Sequence, residues 1–137
     1  LRNDEEVAFL LVTSPATEAL TDAFFFRRKT LELKLPFRGF VLNRSQAGQD
    51  GREHPTQQIF GAKPTDVELS ALAKLQALGL IEAAAVIRDR ELLTRLSNEA
   101  GTDAFAVALP NLSTGAESME ALVALGLVLI DDPSKAA

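Results

Sequence analysis

Few side chains in this sequence could do covalent or metal chemistry, and they are scattered. His54 is the only histidine and there is no cysteine, so spacing alone offers neither a histidine-activated nucleophile nor a thiolate metal site. His54 lies in a polar stretch with no His, Cys or paired carboxylate beside it, and it reads as a solvated imidazole. Ser14 has no base nearby and stands directly before Pro15, which reads as a helix cap followed by the first helical residue. Phosphoryl transfer needs a glycine-rich phosphate cradle with its Lys, a Ser or Thr on Mg²⁺ and a water-positioning acid. No Gly-x-x-x-x-Gly-Lys-Ser/Thr occurs in the chain. Asn43 carries a donor and an acceptor side by side, yet taken alone an Asn after a strand is a common turn residue. Arg44 reads equally well as a solvated loop arginine, Pro110 as a strand stop after Leu109, and Leu112 as core.

The elements that would position these residues follow from hydrophobic periodicity. Val7 to Val12 and Ala104 to Leu109 are short, continuous apolar runs of the kind found in strands covered on both faces. Between Pro15 and Pro36, apolar residues such as Leu20, Ala23, Phe24 and Leu31 recur at roughly helical spacing. Phe37 to Leu42 is the second strand, interrupted by Arg38 and Gly39. Residues 44 to 61 form a polar, Gly-rich stretch expected to be a mobile loop. Thr65 and Glu68 have capping-box spacing, and the helix after them is expected to break at Gly79. A second helix runs from there to Gly101, with Ala83, Ile87, Leu93, Leu96 and Ala100 inward. A closing helix is expected from Thr114 to about Ile130. The order β-α-β-loop-α-α-β-α indicates an α/β domain with a parallel sheet. Three strands are few for four helices, and the chain enters a strand pattern without an initiator Met, so it reads as a piece of a longer protein.

Composition narrows the functions. With 137 residues, 47% of them apolar, the chain suits one globular domain. The net charge of −5 and the absence of Trp and Tyr argue against nucleic-acid partners, which need clustered cations and stacking surfaces. Arg27, Arg28 and Lys29 are the one tight basic cluster and read as a solvated helix face. No apolar run approaches a bilayer span, so no direct membrane insertion is expected.

Phe9-Leu10-Leu11-Val12-Thr13-Ser14-Pro15 resembles the post-switch strand of ArsA-type, or anion-transporting, ATPases, with Ala16 where that family usually has an acid. Gly39-Phe40-Val41-Leu42-Asn43-Arg44 is similar to the family's strand ending in Asn-Arg. Leu109-Pro110-Asn111-Leu112, followed by Met119-Glu120-Ala121-Leu122, resembles its Val-Pro-x-Leu segment before the closing helix. The three lie in the family's order and span nearly the whole chain.

The resemblance implies the C-terminal, adenine-facing part of a three-layer P-loop NTPase core of the SIMIBI type. It implies an adenine site of Asn43, Arg44, Leu109, Pro110 and Leu112, with Asn43 meeting the N6 amino group and N7 of the ring. The parent protein would be a cytoplasmic ATPase using ATP and Mg²⁺, working as a homodimer or paired with a paralogue. The phosphate-binding half would precede Leu1, so this chain alone would bind no cofactor and catalyse nothing. The zinc-binding Cys pair of the tail-anchor-targeting relatives has no counterpart here. A second class of function remains open, a stand-alone α/β module that binds protein partners. A flavodoxin-like domain is less well supported, because the first strand-helix turn has no phosphate-binding loop.

Overall fold

A computed structural model describes residues 7–49, 55–61, 63–111, 122–123 and 126–127. The chain is α/β. Strand β1 (Phe9–Thr13), helix α1 (Thr17–Glu32), strand β2 (Phe37–Ser45), a 3₁₀ turn (Gln57–Phe60), helix α2 (Asp66–Ala100) and strand β3 (Phe105–Pro110) follow in order. The strands form a parallel sheet in the order β1-β2-β3. Of the expected closing helix, residues 122–123 and 126–127 are helical and the rest lies outside the described residues.

Both helices pack on the same face of the sheet. Leu20 and Ala23 of α1, Phe40 and Leu42 of β2, and Leu92, Leu96 and Ala100 of α2 form one buried cluster. Phe40 and Leu42 are two apart and share that face, as strand alternation requires. Gly39 lies between Arg38 and Phe40 because a Cβ there would meet the Phe105 carbonyl oxygen at 2.5 Å and its ring at 2.9 Å. On the opposite face, Val41 and Val107 are buried while Leu10 and Val12 of β1 are exposed. Double-sided burial of the first strand, expected from its apolar run, is therefore not found. Among the described residues, α1 and α2 lie on one face of the sheet, while the opposite face at Val41 and Val107 is also covered.

The start of α1 corrects the expectation for Ser14. The N-cap is Ala16, extended and without a side-chain cap bond, and its carbonyl accepts the first helical bond, from the Leu20 N–H, at 3.1 Å. Pro15 and Ala16 form a bend, and the helix begins only at Thr17. The helix also stops before Pro36. Lys34 takes a left-handed conformation (φ 51), the Leu35 N–H donates to the Thr30 carbonyl at 2.9 Å, and the Lys34 N–H donates to the Leu31 carbonyl at 3.1 Å. This is a Schellman end with Lys at the position that usually holds Gly.

α2 is one helix of 35 residues, about 52 Å long at 1.5 Å per residue, and Gly79 does not break it. A glycine inside a helix costs only about 1 kcal/mol against Ala, and its neighbours Leu78, Leu80, Ile81 and Glu82 leave no turn signal. As one element, α2 is long and apolar enough to cross a bilayer by length and composition, a property hidden when it is read as two. The Thr65 capping box forms as the spacing indicates. The Glu68 N–H donates to the Thr65 hydroxyl and the Thr65 N–H to the Glu68 carboxylate. At the other end Gly101, with φ 85, ends the helix. The Arg27 guanidinium donates to the last carbonyls, of Glu99 and Ala100, at 3.4 and 3.3 Å. It also lies 4.1 Å from the Phe37 ring centroid. Within the basic cluster, Arg27 is thus a cap for α2, where a cation meets the negative end of the helix dipole.

Candidate functional site

β2 runs to Ser45, so Asn43 and Arg44 lie within the strand, not in the turn after it. The ladder there is irregular. Leu42 pairs with Ala108, and the next pair is Ser45 with Pro110, so Asn43 and Arg44 together lie opposite Leu109. This is a β-bulge, in which an extra residue bends the strand and re-aims side chains. Arg44 adopts φ 58, a left-handed conformation that is uncommon for a residue with a Cβ. The Arg44 N–H is taken by its neighbour, donating to Asn43 Oδ1 at 2.9 Å.

The pairing brings Asn43, Arg44, Leu109 and Pro110 together at the carboxyl ends of two adjacent parallel strands. Asn43 and Arg44 are exposed, while Leu109 and Pro110 are half-buried. Leu112, the remaining candidate, lies outside the described residues, as does His54. The bond to Arg44 occupies one lone pair of Asn43 Oδ1. Among the described residues, no other bond is made by the second lone pair or by the two Nδ2 donors.

Beneath this exposed pair lies a buried polar anchor that sequence reasoning missed. Asp89 of α2 is fully buried. Its Oδ2 accepts the Gln46 backbone N–H at 2.7 Å and the Ser45 hydroxyl at 3.3 Å. Its Oδ1 accepts two N–H groups of Arg88, at 2.9 and 2.7 Å. The Ser45 hydroxyl oxygen in turn accepts the Ala47 N–H at 3.1 Å. Arg90 completes the clamp, donating to the Ala47 and Gln49 carbonyls at 2.9 and 3.0 Å. A buried carboxylate is expensive unless its lone pairs are satisfied, and here they are. The clamp therefore ties the end of β2 to α2 and fixes the backbone that carries Asn43 and Arg44. Buried Gln46 Oε1 has no partner among the described contacts. The available signal was Asp89 itself, an acid in phase with Leu92, Leu96 and Ala100 and flanked by two arginines.

Comparison of the chain with protein-family models and with curated proteins finds no match. What the geometry defines is a parallel α/β sheet with a polar, bulged rim at its carboxyl edge, where ligands of open α/β sheets bind.

Proposed function

We propose that the rim formed by Asn43, Arg44, Leu109 and Pro110 is the adenine-facing wall of a nucleotide site, in the C-terminal part of an ArsA-like P-loop ATPase. One observation carries the reading: a bulge gathers these residues at the carboxyl ends of adjacent parallel strands. Asn43 suits the role chemically. Nδ2 can donate to N7 of adenine while the second lone pair of Oδ1 accepts from the N6 amino group, and guanine, with a carbonyl oxygen at that position, mismatches. Pro110, without an N–H, offers a carbonyl and an apolar edge to a flat base. Mg²⁺ and the β- and γ-phosphates would be held by a phosphate-binding half that this sequence does not include, and ATP hydrolysis would require both parts together. The paired partner would be a second copy or a paralogue.

The test uses a protein that contains both this chain and a phosphate-binding half. Asn43→Ala should weaken ATP binding roughly tenfold, the scale of one lost hydrogen-bonding group in a site built around it, and should narrow the preference for ATP over GTP. Equal affinities before and after the change, for both nucleotides, would remove Asn43 from the site. The chain alone should show no Mg²⁺-dependent turnover above buffer, and measurable turnover would overturn the reading.

A further inference from the structure

Among the described residues β1 is an edge strand, and its free side is open in backbone and side chain alike. The Phe9 N–H donates to the Pro36 carbonyl at 2.8 Å, so Phe9, Leu11 and Thr13 turn their N–H and C=O groups toward β2. Alternation then turns those of Leu10 and Val12 outward. The Leu10 and Val12 side chains, on the face away from the helices, are 49% and 65% exposed. Phe9–Thr13 contains no charge and no proline, the usual devices that block edge pairing. The other edge, β3, differs. None of its residues is exposed, and it ends in Pro110, which has no N–H.

The helix layer is open along the same side. The Arg95 guanidinium of α2 lies 5.4 Å from the Phe24 ring centroid, so Phe24 marks the flank of α1 that faces α2. Phe26 stands about 200° further round the helix, on the flank above the free edge. It is 53% exposed, and Leu33, just past the helix, is 57% exposed. Only an extended strand can pair the outward backbone groups, and the one that fills this edge must bring apolar cover to both faces. A second copy does both. If it lies antiparallel with Leu11 opposite its own counterpart, Leu10 of one copy exchanges both backbone hydrogen bonds with Val12 of the other. The reverse pair does the same, which uses every outward N–H and C=O of the two residues. On the outer face each Leu10 then meets a Val12. In the helix layer, α1 packs in one cluster with Leu11 of β1 and Phe40 of β2, which sets it about one strand spacing, ~4.8 Å, from the two-fold axis. The two α1 helices then lie about 10 Å apart, a separation at which helices pack.

We propose that the free edge of β1 is a self-association surface, at which β1 of a second copy pairs antiparallel about Leu11 and joins two three-stranded sheets into one. This does not depend on the nucleotide reading. In sedimentation velocity the unmodified chain should dimerise, and dissociate on dilution. Leu10→Lys keeps every backbone donor and should weaken the dimer about tenfold, the scale of an apolar cross-strand pair lost twice by symmetry. Val12→Pro should abolish the dimer, since it removes an outward N–H and leaves the bonds to β2. Both variants should keep the far-UV circular dichroism of the unmodified chain. The Leu10 and Val12 amides should resist exchange at high concentration and lose that protection on dilution, while Leu11 stays protected throughout. The chain has no cysteine, so introduced thiols report the register. Under oxidation, a mixture of Leu10→Cys and Val12→Cys chains should crosslink faster than either chain alone. Three outcomes would overturn the proposal. A monomer at every concentration whose Val12 amide exchanges slowly would mean that the chain covers its own edge. A monomer whose Val12 amide exchanges quickly would leave the edge to a strand of another protein. A dimer that survives both Leu10→Lys and Val12→Pro would lie elsewhere, as on the apolar seam of the projecting half of α2, where Leu75 and Leu78 are exposed.

Discussion

The two halves of α2 share one helix and one seam but live in different surroundings. From Val86 to Ala100 the helix is a structural wall, with Leu92, Leu96 and Ala100 in the core and Asp89 gripping the end of β2. From Asp66 to Ala85 it buries Leu72 but presents Val67, Leu75, Leu78, Leu80 and Ile81 to solvent. Side-chain type does not separate the halves, since both are apolar at the same phase. What separates them is the sheet, which ends before the helix does. An amphipathic pattern therefore says that a face is meant to be covered, without saying by what.

Paired truncations should break or sharpen this contrast most strongly. Leu96→Ala should lower unfolding free energy in urea by about 3 kcal/mol, through lost burial and the cavity left behind. Leu78→Ala at dilute, monomeric concentration should change it by no more than about 0.5 kcal/mol. Equal losses would mean that the projecting half is packed within the monomer.

Asp89→Ala should come next, at about 2 kcal/mol, because the Gln46 N–H and the Ser45 hydroxyl lose a buried acceptor. Its distinguishing mark is local. Amide exchange of Gln46 and Ala47 should accelerate far more than that of Val107, and uniform acceleration would show that Asp89 does not act as a clamp for the rim.

Gly79→Ala should stabilise the chain by about 0.5–1 kcal/mol, as an interior helical glycine gives way to the best helix former. A loss of stability would mean that the half-buried glycine allows a close approach that a Cβ would block. The smallest effect lies at the helix start. The Thr65 backbone N–H, and then the Thr65 hydroxyl, hold the Glu68 carboxyl below its ordinary range. A depressed carboxyl stabilises the fold above its unfolded value, and that contribution is lost as pH falls through the folded value. The thermal midpoint of the native chain should thus exceed that of Glu68→Gln near neutrality, and the gap should close on acidification. A gap independent of pH would show that the charge on Glu68 is not what matters.

Much of the fold was legible because it rests on local rules. Three apolar runs marked the strands, and Thr65 with Glu68 marked the start of α2. Gly101 marked its end. Errors arose where a local signal met a stronger context. Gly79 was outweighed by the helix formers around it, and the cap expected at Ser14 fell two residues later, at Ala16. Ile87, expected inward, is exposed, because at about 100° per residue it lies on the opposite side of α2 from Asp89, Leu92 and Leu96. At the rim, the residue types of Asn43, Arg44 and Pro110 were visible, but their gathering was not. A bulge is a property of two paired strands, and Asp89 reaches Ser45 across 44 positions of sequence.

The bulge also changes parity. In a regular strand, residues three apart point to opposite sides, yet Leu42 and Ser45 both turn toward α2, one into the core and the other onto Asp89. The added residue restores Ser45 to the side it must occupy, and in doing so frees Asn43 and Arg44 from any duty to the core. The number of residues between Leu42 and Ser45 is therefore fixed by the architecture, while their chemistry is open. Substitution there should cost folding little where position 44 keeps a residue that tolerates φ 58, whereas deleting one residue would turn Ser45 away from its carboxylate and strand a buried charge.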